Sequence, residues 1–178
     1  MDRRQRKTRL AIFDAFVDLL AKKQYSQITV GDIIDRADIG RATFYAHFET
    51  KDDLLKALCG ALFQHVSFGG GEQELFRCDT AEAPFLHLFR HLEKNDNHML
   101  DLLSCENNAI FLIYFKNALK ELVKSQLPLF SHRKDPKLPE DFWIDHIAAT
   151  FTQTIDWWIR QGRRQTPEEI TEYFLLSV

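Results

Sequence analysis

Apolar residues recur along this chain at helical spacing, i, i+3 or i+4, almost from end to end, and strand-like alternation is absent. The first such segment spans about residues 4–23. There Ile12, Phe13, Phe16, Leu19 and Leu20 form one stripe, with Asp14, Asp18 and Lys22 opposite. Two short helices follow within 29–48. Ile33, Ile34 and Ala37 supply the apolar face of the first, and Phe44 and Phe48 that of the second. Only Asp38, Ile39 and Gly40 lie between the two, which is room for a tight turn and nothing more. A fourth helix carries Leu54, Leu55, Leu58, Leu62 and Val66 and is expected to stop before Gly69, Gly70 and Gly71.

Cap residues sharpen these boundaries. Thr29 with Asp32 three positions on, and Thr50 with Asp53, read as helix N-caps of the capping-box kind. Beyond the glycines, Pro84 sits in the first turn of a helix that stops at Asn95, Asp96 and Asn97. A short segment at 98–103 and a longer helix at 107–126 come next. Residues 127–138, with Pro128 and Pro136, read as loop. Pro139 opens a helix that Gly162 closes, and Pro167 opens the last, to about Leu176. The chain is therefore expected to be all-α, with about nine helices. Residues 1–50 form a three-helix head, and helix four joins it to a helical body over 51–178.

The helix at 139–161 has apolar bulk on more than one face. Trp143, Ile147, Phe151, Ile155 and Trp158 make one stripe; Phe142, Ala149 and Trp157 lie off it. Such a helix is either buried centrally in its own domain or packed at once on its core and on a partner. The last two helices are taken as the dimer surface, with Trp143, Ile147, Trp158, Tyr173 and Phe174 as its residues.

Arg41, Thr43, Tyr45 and His47 remain on the open side of the second short helix. Solvent-facing donors on a helix of barely two turns, held by a crossing helix, give the layout of a helix-turn-helix and imply a DNA-reading head. One such head covers few base pairs, so a two-fold dimer on two half-sites is expected. Charge agrees. The net charge is only −3, but residues 1–56 are net +2 and the rest net −5, and five Arg and Lys fall in the first nine positions. A basic end on an acidic body fits contact with a polyanion at one place.

Composition narrows the alternatives. Hydrophobic content of 45% with 15 phenylalanines excludes disorder. Asp14 and Asp18 interrupt the only apolar segment near the start, so no signal peptide is read, and the longest apolar run is Ala109–Phe115, too short to span a membrane. A cytoplasmic location is expected. Cys59, Cys78 and Cys105 are odd in number and widely spaced, which indicates neither disulfides nor a thiol zinc motif. No glycine-rich phosphate loop, nucleophile elbow or paired carboxylates point to an enzyme, and no cofactor is expected.

The string ITVGDIIDRADIGRATFYAHFETKDDLL at Ile28–Leu55 resembles the N-terminal domain of the TetR family of bacterial transcriptional regulators. Thr43, Phe44, Tyr45 and Phe48, followed by Lys51, Leu54 and Leu55, carry the resemblance, which extends over about residues 8–58. Trp157, Trp158, Gly162, Pro167, Glu168 and Glu169 give a looser match to one branch of the family's ligand-binding domains. The resemblance implies a homodimer on a palindromic operator, usually a repressor, released by a small-molecule effector bound in the body. It places Tyr45 and His47 on phosphates, Lys51 on the DNA backbone, Arg41 and Thr43 on bases, and Thr29 as a cap close to the backbone. Arg can pair with guanine and Thr offers a hydroxyl and a methyl, which agrees. Two positions depart from the family's pattern: Asp38 stands where Gly is usual, and Gly40 where Ser is usual. Asp tolerates a left-handed turn and Gly is an acceptable cap.

For the effector, a pocket between helices is expected, lined by Phe85, Phe89, Phe111, Tyr114, Phe115, Phe151 and Trp157 with His87 and His91 as polar anchors. Most of these also suit plain core. A neutral or cationic apolar effector fits the acidic body better than an anion. His87 and His91 at i,i+4, with His98 beyond, have a spacing that can bind zinc. No third and fourth ligand at metal-like spacing is visible, so no metal is expected. The alternative function is an interaction module that keeps the fold without reading DNA; the set Arg41, Thr43, Tyr45, His47 and Lys51 speaks against it.

Overall fold

The computed structural model describes residues 3–68, 83–94, 99–104 and 109–178. Among these the regular structure is helical throughout: α1 (Arg3–Leu20), α2 (Val30–Ala37), α3 (Arg41–Tyr45), α4 (Lys51–Phe68), α5 (Pro84–Lys94), α6 (Met99–Ser104), α7 (Ala109–Ser125), α8 (Leu127–Phe130), α9 (Glu140–Arg160) and α10 (Pro167–Ser177). Single 3-10 turns occur at Tyr25–Gln27 and Ser131–Arg133. The expected stops at Gly69–Gly71 and Asn95–Asn97, and His98, Cys78 and Cys105, lie outside the described residues.

The caps act as their sequence predicts. At α2 the Asp32 amide donates to Thr29 Oγ1 (3.1 Å), and the Thr29 amide donates to Asp32 Oδ2 (2.8 Å). At α4 the Asp53 amide donates to Thr50 Oγ1 (3.0 Å) and the Thr50 amide to Asp53 Oδ2 (3.1 Å). Thr166 and Glu169 repeat the device at α10. Each box satisfies two amides that a helix start otherwise leaves open. Gly162, at φ 70°, ends α9, with its amide and that of Arg163 folded back onto the carbonyls of Ile159 and Trp158.

The head core is built from Ile12, Phe13, Phe16, Ile33, Phe44 and Phe48, and α2 packs along α1. Leu54, Leu55 and Leu58 extend this core into α4, which continues into the body. There α4 touches α7, α7 touches α9, α9 touches α10, α10 touches α5, and α5 returns to α4. This closed circuit surrounds an aromatic centre. Phe151 lies 4.7 Å from Phe89 and 5.0 Å from Phe174, ring centre to ring centre, and Phe89 meets Trp158 edge-on at 5.8 Å.

Several expectations are corrected here. α1 ends at Leu20, and 21–23 continue only as a hydrogen-bonded turn. The stretch at 127–138 is not all loop: α8 forms because Pro128 sits in a first-turn position, where its missing amide costs nothing, and Phe130 buries against Phe85 at 5.6 Å. Pro139 is the N-cap of α9 rather than its first residue. Four of the five residues taken as dimer surface are core of the single chain: Trp143, Ile147, Trp158 and Phe174 are all buried. The stripe facing the aromatic centre is the one the sequence offered to a partner. The exposed stripe of α9 is Phe142, Ala149, Gln153 and Trp157, and beside it α10 exposes Tyr173 and Leu176.

Candidate nucleic-acid interface

α2 closes on Asp38, which takes the left-handed conformation (φ 50°, ψ 52°). The Ile39 amide then reaches back to the Ile34 carbonyl at 3.3 Å. Glycine usually holds such a position, but a short polar side chain pays only a modest steric cost there. Gly40 follows in extended geometry as the N-cap of α3, with no side chain to cap it. The turn thus needs three residues, and α3 leaves α2 at once.

Phe44 is the anchor of α3. It is fully buried, 6.1 Å from the Phe48 ring, which in turn packs edge-on to Phe13 of α1 at 5.6 Å. With Phe44 inward, Arg41, Thr43 and Tyr45 all stand exposed on α3. His47 follows in the next turn, half-buried. Burial, and secondarily the nearby Arg9 guanidinium, lowers its pKa and favours the neutral ring. Arg9, one of the basic residues near the N-terminus, lies over the Phe48 ring at 4.7 Å and the Phe13 ring at 5.2 Å. It is thus fixed beside His47 rather than loose in a tail; a cationic residue one helical turn before Phe13 was the only signal available.

Thr29 and Lys51 have structural partners. The Thr29 hydroxyl donates to Asp32 Oδ2 (2.7 Å) while accepting the Asp32 amide. The Thr29 hydroxyl and the Thr29 amide both donate to the Asp32 carboxylate and, with Lys23 donating at 2.9 Å, keep it far below its ordinary pKa. Lys51 Nζ donates to the carbonyls of Ile28 (2.8 Å) and Tyr25 (3.0 Å) and sits 4.4 Å from the centre of the Tyr25 ring. An ammonium has three protons, and the two carbonyls account for two of them.

Among the described residues, the pockets shown are lined by one of the nine residues expected at an effector site, Trp157. Phe85, Phe89, Phe111, Phe115 and Phe151 are buried in mutual ring contact or against Phe63, Phe130 and Phe174. Tyr114 is half-buried at the edge of this core. Trp157 lies outside it, on a groove of roughly 640 Å³ between α9 and α10. A second cleft, roughly 500 Å³ between α4 and α7, is lined by Gly60, Phe63, Gln64 and Ser67 facing Ala118, Leu122 and Gln126. His87 and His91 are brought together in the interior, and His65 of α4, twenty-two residues before His87 and without a spacing that marks it, joins them.

The fold and this surface define a class: a helix-turn-helix head carried on an all-helical body. Residues 12–58 match the family described as bacterial regulatory proteins, tetR family, and residues 79–177 match its companion, the transcriptional regulator C-terminal region. The chain belongs to the TetR family of bacterial regulatory proteins. A TetR transcriptional regulator from Streptococcus agalactiae is 35% identical, with 99% of this chain and 96% of that chain covered and a TM-score of 0.75. The HTH-type regulator YxbF of Bacillus subtilis is 25% identical over 98% of this chain and 45% of its own length. DhaS of Lactococcus lactis, an activator of the dhaKLM operon, is 29% identical over 67% of this chain and 62% of its own length. The chain thus spans about half the length of these curated relatives. They are transcription regulators, not enzymes. Among the described residues no helix is long and apolar enough to cross a membrane.

Proposed function

We propose that the protein is a sequence-specific transcriptional regulator acting in the cytoplasm as a homodimer on a palindromic DNA operator. The observation that carries this is α3 itself. It presents Arg41, Thr43 and Tyr45 to the outside around one buried anchor, Phe44, a set of hydrogen-bond donors suited to base edges and phosphates. In this reading α3 enters the major groove, Arg41 and Thr43 meet base edges, and Tyr45, His47 and the remaining proton of Lys51 hold phosphates. Thr29 fixes the start of α2 against the backbone.

The partner surface is the exposed apolar stripe of α9 and α10. Phe142 (56% exposed), Trp157 (37%), Tyr173 (46%) and Leu176 (68%) lie on that side, and large apolar side chains grouped this way mark an interaction surface. Two copies packed by these helices would bring two heads to half-sites about 34 Å apart, one turn of DNA. Repression relieved by a small apolar effector is the favoured mode, with the α4–α7 cleft as its entry and α4 as the lever between effector and head. Similarity to the activator DhaS favours activation as the second reading.

Selection of binding sites from random duplex DNA at two salt concentrations tests the proposal. A palindrome bound less tightly at higher salt is expected, because neutralised phosphates release counterions. Failure to enrich any sequence would leave the head a relic and favour an interaction module.

A further inference from the structure

His65, His87 and His91 are 4%, 2% and 3% exposed, and one ring nitrogen from each lies within 4.8 Å of the others. Their ring centres form a nearly equilateral triangle with sides of 4.9, 4.9 and 4.8 Å. His87 and His91 aim the same atom, Nε2, at each other across 3.0 Å. Two residues come from one turn of α5 at i,i+4, and the third crosses from α4, the helix packed against it.

Core packing alone does not account for this choice. Leucine would fill three such positions without polar cost, whereas each buried imidazole must place two ring nitrogens. Facing Nε2 atoms also repel unless one of them carries the proton. A cation at the centre is another way to satisfy them, taking one ring nitrogen from each histidine while the other nitrogen of each ring keeps its proton. The spacing of the ring centres agrees. Nitrogen–zinc bonds of about 2.1 Å in tetrahedral geometry place ligand nitrogens about 3.4 Å apart and ring centres about 5 Å apart.

We propose that His65, His87 and His91 form a binding site for a divalent transition metal ion of the zinc type. Three imidazoles from the described residues leave a further coordination position of a tetrahedral ion for water or another donor. Three neutral imidazoles leave the ion's double charge uncompensated, which favours an anion there. The ion clips α4 to α5. His65 lies fourteen residues beyond Lys51, about 21 Å along α4 from the head, so the site grips the body end of the lever. It stands on geometry alone and does not depend on whether α3 reads DNA.

The test uses the full chain, stripped with a chelator, and needs no DNA. Titration with zinc is expected to saturate at one ion per chain with micromolar or tighter affinity and to raise the melting temperature by several degrees. Cobalt(II) in its place should give the intense visible bands of a four-coordinate ion. Absence of those bands, or of saturable zinc uptake, overturns the proposal on the unaltered protein, whatever the variants do. His65→Gln and His87→Gln should each weaken zinc at least about 100-fold. The exposed His146→Gln should not. Unchanged affinity in a folded His65→Gln or His87→Gln protein would place the metal elsewhere and equally overturn it.

Discussion

Lys51 Nζ donates to the Ile28 carbonyl at 2.8 Å, so the first residue of α4 holds the residue just before the Thr29 cap of α2. The start of the lever and the start of the helix-turn-helix therefore share a joint. The second bond, to the Tyr25 carbonyl, fixes the 3-10 turn that joins α1 to α2.

Lys51→Met should keep the stem and lose both bonds. Charge-assisted bonds of this kind are worth more than neutral ones, and part-exposure of the site reduces the loss to about 1–2 kcal/mol. A urea midpoint that does not move would show that the joint is decorative. Operator affinity should also fall, since α2 positions α3.

Gly40→Ser should stabilise. A Cβ at Gly40 meets only Thr43 Oγ1, at 3.7 Å, and the backbone (φ −76°, ψ 151°) suits any residue. A serine hydroxyl there can accept an open amide of α3, for a gain of a few tenths of a kcal/mol, about 0.3. A lower midpoint than the parent would mean α3 starts elsewhere.

Arg41→Ala and Tyr45→Phe should differ in kind. The first should cost about 1–3 kcal/mol on the selected operator and relax one base position. The second should weaken all sequences alike. Repeating the site selection with each variant checks both; an unchanged preference in Arg41→Ala removes it from the readers.

Trp157→Glu and Leu176→Glu should leave the monomer's helical spectrum intact, because neither side chain is core, and shift sedimentation from dimer to monomer. Trp158→Glu, one residue away but fully buried, should unfold the body. Retention of the dimer in both surface variants would move the partner surface to another face.

His47 should give opposite pH trends for folding and binding. Its pKa is lowered in the free protein, so the neutral ring is favoured by the fold. The associated stability is present above the ordinary value of 6.5 and is lost as pH falls below it through the folded pKa. A phosphate beside the ring has the reverse effect, so operator affinity should rise over the same interval. His47→Gln should flatten both curves, read by urea midpoints and by titration on DNA at about pH 5.5 and about pH 7.5.

Local chemistry made most of the head readable. Thr29 with Asp32 and Thr50 with Asp53 act through hydrogen bonds only three residues long, and Phe44 with Phe48 through one helical turn. The direction of a two-faced helix is a different matter. On α9, Trp143, Trp157 and Trp158 have equal hydrophobicity in the sequence, and nothing local says which stripe meets the chain's own aromatic centre.

The sequence by itself determined the capped starts of α2 and α4, the tight turn at Asp38–Gly40 and the inward Phe44, because each follows from contacts within a few residues. Tertiary structure decided the rest. It turned Lys51 inward onto Ile28, packed Phe85, Phe89 and Phe151 into core, left Trp157 and Tyr173 outside, and set His65 against His87 and His91. Those outcomes depend on which helices lie side by side, and adjacency between distant segments is set by the closure of the whole helical circuit, which no local pattern encodes.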